Sequence, residues 1–564
     1  MDSRWWQHAV VYQIYPRSFM DADGDGIGDL PGILARLDYL AWLGVDVLWL
    51  CPIYRSPNDD NGYDISDYCA IMDEFGTMAD FDRLLAAAHH RGMRVILDLV
   101  INHTSDEHPW FAESRSSRDN PKRDWYLWRD GRNGGPPNNW ESIFRGPAWE
   151  HDAATEQWYL HLFTRRQPDL DWDNPAVRAA IHAMMRWWLD KGVDGFRIDA
   201  ITHIRKAPGL PDMPNPQGLA QVAAYPYHMN VAGILDHLDE LCRETLAGRD
   251  AMTVGEANGI GPFEAEEWVG ATRGRLSMIL QFEHWHLWSD APRAALDVRA
   301  LKRILGRWQT ALHGRGWNAL YLENHDLPRV VSRWGDPQQH ARESATALAT
   351  MYFLMEGTPF LYQGQELGLA NASFAHLDDF RDRFAHNRIA EMRTAGIDDD
   401  AILDELRRTG RDTSRTPMPW DDGPQGGFTT GTPWLAVHQD YAQLNVARQQ
   451  SDPHSVLHHY RALIALRRRE PALLEGRYAA LAPRSTRLYA YTRGEGNERI
   501  AVICNLSGRP ATFRHVGFAL DSRGLLLANR PVAPHGPRHT LRLAPWEARV
   551  YRVANAQSGQ VTRR

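Results

Sequence analysis

Short apolar runs alternate with longer helical patterns along much of the chain, and this alternation is the strongest constraint on its fold. Helical patterns at 30–43 and 81–90 lie between runs typical of strands. The eight predicted strands cover residues 10–14, 45–50, 94–100, 195–199, 252–256, 276–281, 319–323 and 359–362. Eight strands in a β-α-β rhythm are the number in a TIM barrel, so we predict an α/β fold built on a (β/α)8 barrel.

Two long insertions and a tail complete the predicted organisation. The catalytic barrel would occupy residues 1–103 and 175–480, and residues 104–174, which are polar and rich in Trp, Asn, Gly and Pro, would form an inserted domain B. A second insertion near residues 370–452 carries helical patterns. Residues 481–564 return to short alternating runs, which predict a C-terminal antiparallel β-sandwich.

Composition disfavours several classes of function. The net charge is −8 without a concentrated basic run, so we expect no nucleic-acid partner. We find no apolar run long enough to span a bilayer and no signal-peptide pattern, which predicts a cytoplasmic protein without a membrane partner. The four cysteines lie far apart, so neither a zinc site nor a redox pair is expected. Whether the chain is a monomer or a homodimer stays open.

Three carboxylates end strand-like segments in different parts of the chain: Asp199, Glu256 and Asp326. The carboxyl ends of barrel strands meet at one face, where the chemistry of such barrels takes place. Hydrolysis of a glycosidic bond needs a carboxylate nucleophile and a carboxylic acid that protonates the leaving oxygen. The three residues therefore predict a glycosidase site.

Longer motifs around these carboxylates resemble a known family. Residues 98–103, 195–199, Glu256 and 324–326 resemble the four ordered signature regions of the α-amylase superfamily, glycoside hydrolase family 13. Residues 13–19, 61–65, 167–171 and 415–420 are similar to its oligo-1,6-glucosidase and α-glucosidase branch. The resemblance covers residues 4–480 and implies a retaining glycoside hydrolase of the α-glucosidase type.

The resemblance implies a role for each carboxylate. Asp199 would be the nucleophile, Glu256 the acid and then the base, and Asp326 the residue that grips sugar hydroxyls and stabilises the transition state. Arg197 lies two residues before Asp199 on the same strand face, so we expect it to hold the nucleophile ionised. Glu256 must start protonated, and we expect it in a less polar setting.

The same resemblance implies a glucose pocket. His103 and His325 would hydrogen-bond the sugar ring, Tyr63 would stack beneath it, and Phe163 and Gln167 would contact it. Asp60 and Arg415 would clamp the far hydroxyls of the terminal glucose. A pocket closed in this way implies exo-action on the non-reducing end of a disaccharide or short oligosaccharide.

The residue after the nucleophile bears on the linkage. Valine there accompanies α-1,6 preference in this branch, whereas alanine or threonine accompanies α-1,4 preference. Ala200 therefore favours maltose and short maltooligosaccharides. The segments 281–284 and 318–329 look closest to oligo-1,6-glucosidases, so an isomaltase is the alternative, and transfer of glucose to a sugar hydroxyl instead of water also stays open.

Several further activities occur among proteins with similar motifs. Sucrose isomerases carry an arginine-rich Arg-Leu-Asp-Arg stretch where this chain has residues 284–290, which disfavours that activity. Maltose isomerases and trehalose synthases also stay open, the latter because of residues 256–258. A non-catalytic interaction domain is a remote alternative, because such relatives have lost the catalytic carboxylates that this chain keeps.

An acidic loop after the first strand predicts a metal site. Residues 21–29 place aspartates at alternating positions around glycines, as in calcium loops of the EF-hand kind, without the bidentate Glu at the far end. The family resemblance implies one structural Ca2+, although calcium and magnesium are not distinguished by the sequence. The predicted ligands are Asp21, Asp23, Asp25, the Ile27 carbonyl and Asp29. No organic cofactor is expected.

Overall fold

The centre of the molecule is a parallel barrel of eight strands. The computed structural model describes residues 4–272, 274–288 and 296–553. The strands are β1 (Val11–Ile14), β2 (Val47–Leu50), β3 (Arg94–Val100), β4 (Gly195–Asp199), β5 (Met252–Ala257), β6 (Met278–Gln281), β7 (Ala319–Leu320) and β8 (Thr358–Tyr362). Their order is β6-β5-β4-β3-β2-β1-β8-β7, so strands that are consecutive in sequence are neighbours in space. The predicted (β/α)8 barrel is confirmed.

Helices follow the strands, and polar caps mark where several of them begin. They are α1 (Leu30–Ala35), α2 (Leu37–Leu43), α3 (Met78–His90), α4 (Pro175–Asp190), α5 (Ile234–Leu241), α6 (Ala265–Val269), α7 (Val298–Leu312), α8 (Val330–Trp334), α9 (Ala341–Phe353), α10 (Arg383–Thr394), α11 (Asp399–Thr409) and α12 (Val456–Arg469). The side chains of Asn174, Asp297 and Ser455 accept N–H groups in the first turns of α4, α7 and α12. Within the described residues, no helix combines the length and apolarity needed to cross a membrane.

Two smaller sheet systems flank the barrel. Between β3 and α4, strands Trp128–Arg129, Gln157–Leu160 and Trp149–Asp152 form a three-stranded antiparallel sheet. After α12, five antiparallel strands pair in the order Tyr478–Leu481, Leu488–Arg493, Ile500–Asn505, Ala548–Arg552 and Leu525–Ala528. Ala511–Arg514 and Thr540–Leu543 form a second, two-stranded sheet, and apolar residues from both sheets share one core. The predicted C-terminal β-sandwich is confirmed.

Two predicted elements differ in extent. The helical pattern at 30–43 is two helices, which meet at Arg36 with φ −106° and ψ 7°. Strand β7 stops at Leu320, so Asp326 lies in a loop beyond the strand instead of at its end. Side chains organise that loop, because Asn324 Oδ1 accepts the N–H of Asp326 at 2.9 Å and Arg329 Nη1 donates to Glu323 Oε1 at 3.0 Å.

Candidate active site

Arg197 on β4 is the centre of the site. β3 and β4 are paired so that Arg197 lies opposite Asp98, and Asp199 follows on the same face. The Nη1 of Arg197 donates to Asp98 Oδ1 at 2.7 Å and to Asp199 Oδ1 at 2.6 Å, and its Nη2 lies 2.7 Å from Glu256 Oε1. The Arg197 side chain is fully buried. One guanidinium therefore joins three carboxylates from three adjacent strands.

Close packing of β4 against β5 fixes the spacing of these groups. Gly195 begins β4 with φ 148°, and a Cβ there would lie 1.8 Å from the carbonyl oxygen of Met252 on β5. Only glycine allows this approach. At the other end of β4, Ala200 has φ 43°, and its N–H donates to Glu256 Oε2 at 2.9 Å. The backbone immediately after Asp199 thus holds the carboxyl group of Glu256.

The setting of Glu256 differs from the sequence expectation. A guanidinium contacts one of its oxygens and a backbone N–H contacts the other, so the less polar setting predicted for Glu256 is wrong. The cause is the shared use of Arg197. Its position between β3 and β5 makes it a partner of Glu256 as well as of Asp199.

Charge is unbalanced around Arg197, because three carboxylates face one cation. Burial raises the pKa of Asp199 well above its ordinary value, Arg197 opposes this shift, and the charges of Glu256 and Asp98 add to it. Burial likewise raises the pKa of Asp98 to about 6 against the opposing effect of Arg197. The contact predicted between Arg197 and Asp199 is present, but it is too weak to offset burial. Burial and the mutual repulsion of the carboxylates therefore favour protonation of Asp199 and Asp98 over full ionisation.

Asp326 has the opposite environment. Its Oδ1 accepts hydrogen bonds from Arg411 Nη1 at 2.9 Å and from Arg415 Nη2 at 3.1 Å. Its Oδ2 lies 3.2 Å from His325 Nε2. Burial favours protonation, but His325 and the two arginines outweigh it and hold the pKa of Asp326 well below its usual range. Asp326 is therefore an anion at neutral pH.

The two site histidines are neutral. Burial lowers the pKa of His325 to about 3 and that of His103 to about 4. Gln13 Nε2 lies 2.7 Å from His325 Nδ1, and because an amide nitrogen only donates, the ring proton is on Nε2. That nitrogen lies 2.7 Å from the Tyr63 hydroxyl, which donates to Asp98 Oδ2 at 2.9 Å. The single Nε2 proton of neutral His325 therefore lies between the Tyr63 hydroxyl and Asp326 Oδ2.

In the clamp predicted from Asp60 and Arg415, the arginine at the cavity surface is Arg411 instead of Arg415. Arg411 lies between three carboxylates, with Nη2 2.5 Å from Asp382 Oδ1 and 3.6 Å from Asp60 Oδ1. Gln167 Nε2 donates to the other oxygen of Asp60 at 3.0 Å. Burial raises the pKa of Asp60 to about 7 against the opposing charge of Arg411. Arg415 lies behind this layer, where its Nε donates to the His325 carbonyl at 2.7 Å.

These groups surround one cavity of about 400 Å³. Nine of the twelve residues predicted for catalysis and substrate binding line it: Asp60, Tyr63, His103, Phe163, Asp199, Ala200, Glu256, His325 and Asp326. The other three, Gln167, Arg197 and Arg415, are almost fully buried and contact the lining residues from behind. The fold therefore brings all twelve together.

Several functional candidates were not predicted from the sequence. Arg411 lines the cavity and binds Asp326, and Asp382 fixes Arg411 through two hydrogen bonds. Both belong to the long insertion after β8, which carries no strand pattern to place them. The only available signal was the position of Arg411 four residues before Arg415, one helical turn earlier. Phe282, Trp285 and Trp288 also line the cavity.

The acidic loop after β1 is compact. Oxygens of Asp21, Asp23 and Asp29 lie within 4.8 Å of one another, a spacing that suits a cation. Asp21 also accepts N–H groups from Asp23, Gly24 and Gly26. Asp25, in contrast, accepts the N–H of Ile27 at 2.7 Å. Asp21, Asp23 and Asp29 form a candidate metal site, and the predicted roles of Asp25 and the Ile27 carbonyl stay predictions.

Comparison with known proteins agrees with this geometry. A model described as "Alpha amylase, catalytic domain" matches residues 13–476. The chain belongs to the α-amylase family. It is 52% identical over 552 residues to "Probable oligo-1,6-glucosidase 3" of Bacillus subtilis (strain 168), covering 98% of this chain and 100% of that protein. It is 49% identical over 562 residues to an oligo-1,6-glucosidase of Parageobacillus thermoglucosidasius, with coverage of 98% and 100%.

A solved structure in the same family has nearly the same fold. Isomaltulose synthase from Klebsiella sp. LX3 superimposes with a TM-score of 0.93 at 41% sequence identity, covering 98% of this chain and 100% of that one. The predicted family, fold and enzyme class are confirmed, so this α-amylase family member is a glycoside hydrolase of the α-glucosidase type.

Proposed function

We propose that the chain is a retaining, exo-acting α-glucosidase that releases glucose from the non-reducing end of short α-1,6-linked glucosides. The observation that carries this proposal is the shared guanidinium of Arg197, which holds the Asp199 and Glu256 carboxyl groups side by side. The two catalytic carboxyl groups lie closer together in retaining glycosidases than in inverting ones, because no water has to fit between the nucleophile and the anomeric carbon.

In the first step, an Asp199 oxygen attacks C1 of the terminal glucose while Glu256 donates a proton to the leaving oxygen. In the second step, Glu256 takes a proton from water, which attacks C1 and releases Asp199. Asp326, kept anionic by Arg411 and Arg415, faces the positive charge that develops on the sugar ring.

Exo-action is supported by the closed end of the cavity. Gln167 Nε2 donates to one oxygen of Asp60 there, Arg411 Nη2 lies 3.6 Å from the other, and the rings of Phe163 and Phe144 lie with centroids 5.5 Å apart in the same cavity wall. Asp60, with a pKa of about 7, can accept from or donate to a glucose hydroxyl. A chain that continued past this group would have to displace a buried ion pair, so only a terminal glucose fits.

The linkage is the point on which two observations differ. Ala200 favours α-1,4 substrates, whereas the relatives at 52% and 49% identity, which match over essentially their whole length, are named for the α-1,6 bond. Similarity over the whole length includes many residues that can contact the leaving group, whereas Ala200 is a single side chain. We therefore prefer the α-1,6 assignment to the lean towards α-1,4 linkages.

Product analysis on isomaltose, maltose, sucrose and trehalose tests the proposal. We expect the highest kcat/KM on isomaltose, α-glucose as the first product, and no measurable turnover by the Asp199→Asn variant. Predominant cleavage of maltose would refute the α-1,6 assignment, and initial release of β-glucose would refute retention.

Isomerisation of sucrose is a second candidate, because a solved relative of 0.93 TM-score is an isomaltulose synthase. The segment that disfavours this activity, residues 284–290, is described up to Trp288, and Ser289 and Asp290 lie outside the described residues. An isomerase would convert sucrose to an isomer with little free glucose. Net glucose release from sucrose would exclude it.

We also propose that Asp21, Asp23 and Asp29 hold one Ca2+ with a structural role. Hard oxygen ligands suit this ion, and Asp21 is buried against Thr429 of the insertion after β8, which ties the loop to a distant segment. Among the described residues that line the catalytic cavity, none belongs to this loop. Chelator treatment is therefore expected to lower thermal stability before it affects the chemical step.

A further inference from the structure

Gln13 is a buried polar residue on β1, and the proposed mechanism gives it no role. It lies opposite Trp49 of β2 and Tyr362 of β8 in the strand register, and only 2% of its surface is exposed. Its Nε2 lies 2.7 Å from Nδ1 of His325, which belongs to the loop after β7. A buried amide costs free energy unless its hydrogen bonds are made, so this contact ties Gln13 to the site.

The surroundings of His325 fix the direction of this hydrogen bond. At the other side of the ring, Nε2 lies 3.2 Å from Oδ2 of Asp326, which is an anion. A neutral imidazole carries one N–H, and a bare Nε2 would face this carboxylate oxygen lone pair to lone pair. The ring proton is therefore on Nε2. Nδ1 is then an acceptor, and the amide nitrogen of Gln13 is its donor.

A second contact suits the same orientation of the amide. Gln13 Nε2 also lies 3.3 Å from the Sγ of Cys51, the buried residue that follows β2. An amide nitrogen carries two hydrogens, so one can point to His325 and the other to the sulfur, which is a weak acceptor. Gln13 thus uses both hydrogens in the orientation that His325 requires.

The position of the ring proton matters on the cavity side. Tyr63, His325 and Asp326 all line the cavity, and Nε2 of His325 lies between the Tyr63 hydroxyl at 2.7 Å and Asp326 Oδ2. A donor at Nε2 attracts the Asp326 carboxylate. An acceptor there would repel it, because both groups would present lone pairs. The tautomer of His325 therefore helps to hold the anion that faces the sugar ring.

We propose that Gln13 is a positioning residue for glycoside cleavage, which acts through His325 by keeping the ring proton on Nε2. This inference rests on the proposed α-glucosidase function and adds a residue to its machinery. Gln13 is not among the described residues that line the cavity, so its influence passes through the imidazole. A neutral amide donor suits this place, since it adds no charge beside the positive charge that develops on the sugar.

Two substitutions test the donor. Gln13→Met keeps a side chain of similar length without the N–H groups, and it should lower kcat on isomaltose by about 10-fold with little change in KM. The effect falls on kcat because Asp326 acts mainly in the transition state. Gln13→Glu places an acceptor against Nδ1 and draws the ring proton there, so kcat should fall by about 100-fold.

Gln309→Met is the matched control. Gln309 on α7 is also 2% exposed, and its amide hydrogen-bonds the backbone of Glu356, away from the catalytic cavity. This variant should melt at a lower temperature without a change in kcat. Turnover of isomaltose by the wild type, with an unchanged kcat in Gln13→Met, overturns the positioning role alone. A wild type that hydrolyses no α-glucoside contradicts the proposed function, whatever the tautomer.

A double-mutant cycle shows whether Gln13 acts through His325. In the His325→Asn background, Gln13→Met should change kcat by about 2-fold or less, because the ring that transmits its effect is gone. A loss as large as the one in the wild-type background would overturn the inference, since a general packing defect gives additive effects.

Nitrogen NMR of protein with isotope-labelled histidine reports the tautomer, even where His325→Asn is too slow to assay. The His325 signals are those that disappear in His325→Asn, and a protonated ring nitrogen is separated in chemical shift from a bare one. We expect a protonated Nε2 in the wild type and a protonated Nδ1 in Gln13→Glu. A wild-type His325 protonated on Nδ1 would overturn the inference independently of the activity.

Discussion

Replacing Arg197 with glutamine removes the cation that joins Asp98, Asp199 and Glu256. The guanidinium is fully buried and lies 2.6–2.7 Å from an oxygen of each carboxyl group. A cation at such a distance lowers the pKa of a carboxyl group by about 1–3 units. In the Arg197→Gln variant, the pKa of Asp199 therefore rises further above its ordinary value, because burial and the neighbouring carboxylates are then unopposed.

The sign of the effect on activity follows from the mechanism. In the proposed mechanism the nucleophile works as an anion, so a raised pKa moves the acidic limb of the kcat/KM profile towards higher pH. On the acidic side of that limb, kcat/KM should fall about tenfold for each pH unit by which the limb moves. Part of that loss should be recovered as the pH is raised, because deprotonation restores the nucleophile.

The assay is glucose release from isomaltose between about pH 4 and pH 9, after melting curves show that the variant is folded. Loss of one partner from a buried ion pair costs about 3–5 kcal/mol, so a lower melting temperature is expected. Arg197→Lys is the matched control. It keeps the charge, so its acidic limb should stay near that of the wild type while its rate falls through poorer positioning. An unshifted acidic limb in Arg197→Gln would refute the charge argument.

Three further changes test other parts of the site. Arg411→Ala should lower kcat/KM on isomaltose by about 100-fold, because a charged hydrogen bond to Asp326 is worth about 1.5–3 kcal/mol and the glucose clamp is lost as well. Unchanged kinetics would contradict the clamp. Calcium at about 100 times its Kd should stabilise the wild type by about 2.7 kcal/mol and the Asp21→Asn variant by much less. Melting curves with and without chelator measure this difference. Ala200→Val should lower stability by about 1 kcal/mol, because a β-branched residue is strained at φ 43°, and should raise the isomaltose-to-maltose preference.

The barrel and two of its three carboxylates could be predicted because local patterns determine them. Gly195 to Asp199 and Met252 to Glu256 are short apolar runs that end in an acid, and parallel strands place such ends at one face. Asp326 was predicted from its motif, and the strand expected before it ends earlier than predicted. Tertiary contacts end β7 early, since the loop after it is held by Asn324 and Arg329.

Long-range pairing explains what the sequence could not reveal. Arg411 meets Asp326 across 85 residues of chain and Asp382 across 29, and no local periodicity encodes such contacts. The polar setting of Glu256 has the same origin, because Arg197 reaches across from β4. Sequence patterns thus predicted the positions of acidic groups, whereas the distribution of arginines among them depends on the complete fold.

That distribution supports the role proposed for each carboxylate. Although burial favours protonation, His325, Arg411 and Arg415 lower the pKa of Asp326, and the two arginines lower that of Asp382. Around Arg197, one cation faces three carboxylates, and burial and mutual repulsion raise the pKa of Asp199 and of Asp98. Glycoside cleavage needs a permanent anion on one side of the developing positive charge and a transferable proton at the leaving oxygen. In the proposed mechanism, Asp326 beside Arg411 and Arg415 is that anion, and Glu256 beside Arg197 delivers that proton.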